Sequence, residues 1–455
     1  HGYRARKFIL RHVPAITAAC VAALALLIGT TAAVIQAHRA DAERAKAMRV
    51  SAFLQATLSA PDTRIPGAPN DSTAHTTVSG LLDNATRRAQ IDLATDSAVQ
   101  SVVLHTIGNT YVAVGEYDKG LALLTRTLAI DRQANAATFP DIVTDLVDVG
   151  DAELERGDNG AADSLFRKAA SICQSSQRLA DSALICIRAI HDLGGATWFE
   201  NRLAESEQLL TRAVALYRKR LGLTSPLTAI ALGNLGGVRD SRGDIAGAQS
   251  LYHQSLAAYR TSPDSALPER AFTLTNLAAS LEEQGKDSDA VPLVREAIAV
   301  ISRAQSPNHP DAAVAWIQLG ALHRELGDIP LARTETARGL SYLAASRPIS
   351  RRLRARVMTS EGLLLLAERK PAAARATLQA ALDTASAEFG AHDPRLADVQ
   401  DALGLALLGT HEEREAEAML RASHETLVHA WGASHPRTLR VAAHIARAQG
   451  RPPTL

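Results

Sequence analysis

The stretch Ala271–Arg303, AFTLTNLAASLEEQGKDSDAVPLVREAIAVISR, decides the fold. Its first part, Ala271 to Gln284, reads as a helix; Gly285 stops it, and Ser288 to Arg303 reads as a second helix. The same turn recurs at Gly115, Gly157, Asn201, Gly243, Gly285, Gly327, Arg369 and His411, with spacings of 42, 44, 42, 42, 42, 42 and 42 residues. Seven residues before each turn stand Gly108, Gly150, Gly194, Gly236, Ala278, Gly320, Gly362 and Gly404. Five residues after it stand Gly120, Ala162, Ser206, Ala248, Ala290, Ala332, Ala374 and Ala416. A period of this length with two columns of small residues means stacked helical hairpins, because helices approach closely only where no bulky side chain intervenes.

Between units, Pro recurs at Pro140, Pro226, Pro268, Pro310, Pro394 and Pro436, with Asn308-His309-Pro310-Asp311 and Ser434-His435-Pro436 as the fullest versions. A Pro opens a helix at no hydrogen-bond cost and stops the preceding helix from running through. Asn276-Leu277-Ala278, followed by Gly285, Ala290, Leu293 and Ala297, resembles the tetratricopeptide repeat, in the long form that kinesin light chains also carry. The resemblance covers about four fifths of the chain. It implies an all-α, right-handed superhelical α-solenoid of about eight helix-turn-helix repeats, and it implies protein binding as a class of function.

Residues Val13 to Ile35 carry no charge and are largely apolar. As a helix of roughly 35 Å they would cross a bilayer. A secretory signal peptide is the alternative, but its apolar region runs only about 7 to 15 residues, so a retained membrane helix is the preferred reading. Arg4, Arg6, Lys7 and Arg11 crowd the amino side, while Arg39, Arg44, Lys46 and Arg49 are spread beyond the carboxyl side, which places the amino side in the cytoplasm. Tyr3 to Phe8, Arg11-His12, the apolar span, Gln36 to Ala40 and the helix ending in Phe53-Leu54 together resemble the segment that follows the kinase domain in bacterial transmembrane serine/threonine kinases ending in tetratricopeptide repeats. That resemblance implies periplasmic repeats and an upstream kinase. The chain begins with His1, in keeping with a fragment, a processed chain or the continuation of a longer protein. Without the upstream kinase, the chain would instead be a stand-alone membrane-tethered scaffold that assembles envelope proteins.

The expected organisation is a basic juxtamembrane segment over 1–12, a transmembrane helix over 13–35, a stalk helix and linker over 36–77, and an amino-terminal capping helix over 78–97. Eight repeats follow over 98–436, then a capping helix and tail over 437–455. The stalk carries Val50, Phe53, Leu54 and Leu58 on one side, a face that can dock, lie on the membrane or pair two copies, with a plain stalk preferred because the heptads are not sustained. The turns at Arg369 and His411 lack Gly, so the last two hairpins are expected to be less sharply held.

Several chemistries are excluded. There is no GxGxxG loop after a strand, no HRD and no DFG, so these residues contain no kinase; His191-Asp192-Leu193-Gly194 falls in the repeat register as helix interior. His424 and His429 stand five apart and would diverge by about 140° on a helix, unlike the zinc-binding spacing of four. His309 and His435 belong to the inter-repeat turn. No cofactor, metal or catalytic residue is expected. A net charge of +1 and 4% aromatic residues argue against nucleic acid. Cys173 and Cys186 lie either side of a bend over Gln177 to Ala180, either bridged or as two buried thiols, the latter preferred.

Positions thirteen, nine, six and two before each turn share one helical face, which lines the concave groove in this family. The column nine before the turn reads Thr106, Asp148, Asp192, Asn234, Asn276, Gln318, Ser360 and Ala402. Amides both donate and accept, so Asn234, Asn276 and Gln318 suit the backbone of an extended peptide. The kinesin light chain resemblance points to the same column. Arg188, Ile230, Phe272 and Phe199 offer cationic or apolar contacts, and Asp148, Asp151 and Glu155 make the amino-terminal part acidic. The expected groove set is therefore Asp148, Arg188, Asp192, Asn234, Phe272, Asn276 and Gln318. The run Arg351, Arg352, Arg354 and Arg356 is read as a solvated turn.

Overall fold

In a computed structural model, the protein is described over residues 30, 36–37, 41, 44–53, 78–133, 139–175, 183–261, 268–304, 310–345 and 351–450. The 13–35 span apart from Thr30, residues 54–77 with Leu54 and Leu58 of the stalk and the linker after it, the Gln177 to Ala180 bend and His309 lie outside these residues. Among the described residues no helix is long and apolar enough to cross a membrane. They are helical, with no strand.

Residues 44–53 form α1. Val78–Asp92 (α2), Ser97–Ala113 (α3), Tyr117–Gln133 (α4) and Phe139–Arg156 (α5) follow, then Asn159–Ser175 (α6), Leu184–Phe199 (α7), Leu203–Leu221 (α8), Pro226–Ser241 (α9) and Ile245–Thr261 (α10). The remainder comprises Pro268–Glu282 (α11), Asp287–Ala304 (α12), Pro310–Glu325 (α13), Ile329–Ala345 (α14), Arg351–Ala367 (α15), Pro371–Ser386 (α16), Pro394–Gly409 (α17), Glu413–Trp431 (α18) and Pro436–Ala448 (α19). Helices α3 to α18 make eight consecutive hairpins, flanked by α2 and α19. Five of the recurrent prolines are the first residue of their helix, while Pro140 is the second of α5. The chain forms two compact units, His1–Asp145 and Leu146–Leu455, divided within α5.

All eight turn positions adopt positive φ, from 61° at Asn201 and Arg369 to 97° at Gly157. At Arg369 the N–H donates to Leu366 O at 2.9 Å and the next N–H, of Lys370, donates to Leu365 O at 2.9 Å; Gly115 and Glu116 make the same pair of bonds to Val112 and Tyr111. This double bond closes the carboxyl end of a helix and satisfies two of its orphan carbonyls. The last two turns are therefore as sharply held as the others, contrary to the expectation from their missing Gly. The bonds are the same, and Arg369 and His411 carry the left-handed strain of about 1 kcal/mol each.

The glycine column is explained by contact. A Cβ on Gly150 would meet Phe166 Cε1 at 2.5 Å, one on Gly236 would meet Tyr252 Cε1 at 2.6 Å, and one on Gly404 would meet Leu420 at 2.7 Å. The side chain met always stands sixteen residues later, on the second helix, where Phe166, Tyr252 and Leu420 are fully buried. Large residue and Gly are thus one feature, a knob and the gap that receives it.

In the first unit, Phe53 of α1 is buried in a cluster with Ala85, Ala89, Val99 and Val103, with Val50 against it. Arg49 Nη1 reaches Asp96 Oδ2 at 2.7 Å, and Asp96 also caps α3 by accepting from Val99 N. The stalk helix therefore docks on its own chain through Val50 and Phe53, one of the uses expected of that face. The amino-terminal helix of the 78–97 segment is α2, Val78–Asp92.

In the second unit, Cys173 and Cys186 form a disulfide with their Cα atoms 5.6 Å apart, which replaces the expected pair of free thiols. The carboxyl end is fastened to the middle of the unit. Trp431 Nε1 donates to Ser241 O at 2.5 Å, Arg437 pairs with Glu283, and the His435 ring lies 3.0 Å from where a Gly243 Cβ would stand. His435 caps α19, its Nδ1 accepting from Arg437 N at 3.3 Å. Burial, then the Arg437 and Arg440 charges, push its imidazole down to about 4.

Candidate functional site

Within the Leu146–Leu455 unit the first helices of the hairpins carry the groove residues, which fall into two groups. In the first, Arg188 Nη2 sits 2.9 Å from Asp148 Oδ1 and 2.5 Å from Asp151 Oδ2, while its Nε is 3.4 Å from Asp192 Oδ2. Burial disfavours the Arg188 charge, but the three carboxylates outweigh it and hold the pKa above the ordinary value. The Asp151 carboxyl is pushed well up, first by burial and then by the Asp192 charge. His191 Nδ1 lies 2.9 Å from Asp192 Oδ1, and its Nε2 lies 3.0 Å from Asn234 Nδ2. Because an amide nitrogen only donates, Nε2 accepts and the ring proton sits on Nδ1, facing the carboxylate.

Asp148, Arg188, Asp192 and Asn234 are thus brought together, but as a closed chain of internal bonds. Asn234 joins α9 to α7 rather than offering its amide to a ligand. Gln318 behaves alike: its Nε2 donates to Thr275 O at 3.1 Å, tying α13 to α11. Two of the three rungs of the inferred amide ladder thus already hold an internal bond, and Gln318 keeps its Oε1 unpartnered. Successive first helices pack so closely that the column bonds across them before any ligand arrives. Asn276 is the remaining rung, half-buried with its Nδ2 unpartnered. Phe272 is 42% exposed and meets Trp198 edge-on at 6.3 Å, with Phe199, 40% exposed, stacked on the same indole at 5.8 Å.

The second group lines a cavity of about 530 Å³. Its walls come from α11, α13, α15, α17 and α19, and it includes Gln318 but none of the other expected groove residues. Glu282 and Asp398 face Arg352, Arg356, Arg395 and Arg437 there. Three of the arginines, Arg352, Arg395 and Arg437, continue into an adjoining cavity of about 240 Å³ bounded by Trp198, Phe199 and Trp431. Arg352 lies 5.7 Å over both the Phe199 and the Phe389 rings, and Arg395 lies 4.5 Å over Phe389. The arginine run opens α15 rather than forming a turn: Arg351, Arg354 and Arg356 are exposed, as a solvated run implies, Arg352 is half-buried, and Arg352 and Arg356 border the cavity. Burial pushes both guanidinium groups down, helped at Arg352 by the like charge of Arg395 and opposed at Arg356 by the charge of Glu282. A readable signal existed, since Arg356 stands thirteen residues before its turn, in the column that also holds Arg188 and Phe272.

His429 stacks on His392 at 5.4 Å, and among the described residues no group of three metal-binding side chains forms.

The tetratricopeptide repeat family matches residues 186–261 and 269–340. These are tetratricopeptide repeats. No curated protein matches the sequence. Among solved structures, a Rap protein complexed with competence and sporulation factor is similar at a TM-score of 0.51 and 12% identity, over 77% of this chain and 99% of that one. Aspartyl phosphate phosphatase F from Bacillus subtilis is similar at a TM-score of 0.51 and 15% identity, over 76% and 88%. The kinesin light chain repeats of Podosopora anserina align at a TM-score of 0.38 and 21% identity, over 46% and 97%. The first two likenesses extend the tetratricopeptide fold beyond the matched residues, as do the turn and glycine columns from Gly108 to Ala416.

Proposed function

We propose that this chain is a non-catalytic tetratricopeptide-repeat scaffold whose inner face captures a peptide or protein segment. The observation that carries this reading is the cavity of about 530 Å³ inside the stack, a volume typical of ligand sites, with the exposed Phe272 and the unpartnered Asn276 along the same inner face. A solenoid's inner face is an extended surface whose residues are set by repeat register, so it can vary without disturbing the stack. The Rap protein of similar fold was solved with a bound factor, a property of that protein that agrees with this use of the inner face.

On this reading the repeats form the sensing part of a membrane-anchored serine/threonine kinase, held by residues 13–35 with the repeats in the periplasm. Support comes from the basic Tyr3 to Arg11 segment, the uncharged span and the Cys173–Cys186 bridge, which suits an oxidising compartment. Alkylation and mass spectrometry of the chain isolated without reductant test the compartment: free thiols at both positions would place the repeats elsewhere. For capture, a Phe272→Ala/Asn276→Ala chain is expected to lose partners in a cross-linking pull-down while keeping its helical circular dichroism. Full retention of partners sinks the groove reading.

A further inference from the structure

A further cavity, of about 300 Å³, lies at the seam between the fifth and sixth hairpins. Its walls include Arg295 of α12, Trp316 and Leu319 of α13, and Leu331, Glu335 and Arg338 of α14. The three residues of α14 stand four and then three apart, so they form one stripe along the helix. Trp316 stands two residues before Gln318, about 160° around α13 from the inner column. No residue lines both this cavity and the one of about 530 Å³. The two are separate sites.

Charges of both signs are left unanswered here. Glu335, 6% exposed, faces the buried His323, whose Nδ1 stands 2.5 Å from Glu335 Oε2. A carboxylate only accepts, so the proton belongs to the ring. Glu335 Oε1 has no hydrogen bond among the described residues. Arg295 and Arg338 are exposed and make no ion pair among the described residues. Arg338 instead lies 4.6 Å over the Trp316 ring.

We propose that this cavity binds a free α-amino acid in its zwitterionic form. The ligand's carboxylate meets Arg295 and Arg338, its ammonium group meets Glu335 Oε1 and the Trp316 ring, and an apolar side chain lies on Leu319 and Leu331. Guanidinium forks match a carboxylate through two parallel bonds. A buried carboxylate oxygen without a donor is costly, and an ammonium group supplies the donor; the indole face attracts the same cation. Neither a plain anion nor a plain cation answers both signs, so the lining selects a molecule that carries the two charges a few bonds apart. A volume of about 300 Å³ stands at the small end of ligand sites, which suits a molecule of this size. Arg295 belongs to the fifth hairpin and the other five residues to the sixth, so an occupant favours one setting of the two hairpins against each other. The inference goes beyond inner-face capture and does not depend on it.

The test is isothermal titration of the full 455-residue chain, in detergent micelles, with free L-amino acids one at a time. Those with apolar side chains are expected to bind with a Kd on the order of 0.1 mM, and glycine about tenfold more weakly. Arg338→Gln, Arg295→Gln and Glu335→Gln should each weaken binding about tenfold with helical circular dichroism unchanged, and the exposed Arg220→Gln should leave it as it was. If the buried Glu335→Gln chain fails to fold, the two exposed arginine variants carry the test, and full affinity in both overturns the proposal. The ligand is varied as well: the N-acetyl amino acid lacks the ammonium group and the amino acid amide lacks the carboxylate, and each should bind about tenfold or more weakly. Equal binding of the N-acetyl form overturns the proposal, since the site would then serve anions alone; equal binding of the amide overturns it as a site for cations. So does the absence of heat with every amino acid at about 10 mM.

Discussion

Arg188 and Arg356 occupy the same repeat column, yet the half-buried Arg188 and the exposed Arg356 are answered by their surroundings in opposite ways. Around Arg188, three carboxylates, a histidine and an amide pair chiefly with one another. Around Arg356, cations outnumber carboxylates and one guanidinium has no ion pair among the described residues. A polar inner face is therefore not in itself a binding site. Where its donors and acceptors are already matched, it is part of the scaffold; where charge is left uncompensated, a ligand has something to supply.

The largest effect should come from breaking the matched cluster. Arg188→Met leaves Asp148, Asp151 and Asp192 facing one another, and we expect a loss of about 2 kcal/mol, below the range for a fully buried pair because Arg188 is partly exposed. A urea midpoint unchanged from wild type would show that the cluster is ornamental. The second test sharpens the contrast through pH. Near the Arg437–Glu283 pair, Asp240 is pushed up to about 7, first by burial and then by the Glu283 charge. The folded chain thus keeps a proton that the unfolded chain releases near pH 4. The stability this contributes is complete below that point and is lost as pH rises through about 7. The urea midpoint should fall between about pH 5 and pH 8, and Asp240→Asn should flatten the fall; equal slopes would exclude Asp240 as the group.

A change remote from both clusters gives the background against which they are judged. Arg369→Gly relieves a left-handed residue and should stabilise by about 1 kcal/mol in thermal unfolding; destabilisation would mean that the Arg369 side chain does more than turn the chain. The smallest effect is expected at the unmatched cation. Arg356→Gln should alter stability by no more than about 0.5 kcal/mol, since no ion pair is lost. A loss as large as that of Arg188→Met would erase the distinction between the clusters.

The hairpins were legible because their determinants are local. Gly243 and Gly285 need positive φ, and Gly236 needs room for Tyr252, so both leave a mark at every period. The cavity was not legible, because it depends on how far each hairpin rotates against the next. That rotation brings Phe199 under Arg352, a contact between the third and seventh hairpins that no period records. The column of Asn234 and Gln318 was read correctly as inward and polar, but the sequence could not show that a neighbouring helix stands close enough to take the amide. The Cys173–Cys186 proximity was visible from the bend between two successive hairpins, whereas the bond between the two sulfurs was not.

The fastening of Trp431 to Ser241 and of Arg437 to Glu283 changes the kind of object this array is. In an open row, units peel away from the last one inward, each held only by its neighbour. Here the eighth hairpin and α19 grip the fourth and fifth, so the row becomes a loop, and its carboxyl end comes apart together with its middle.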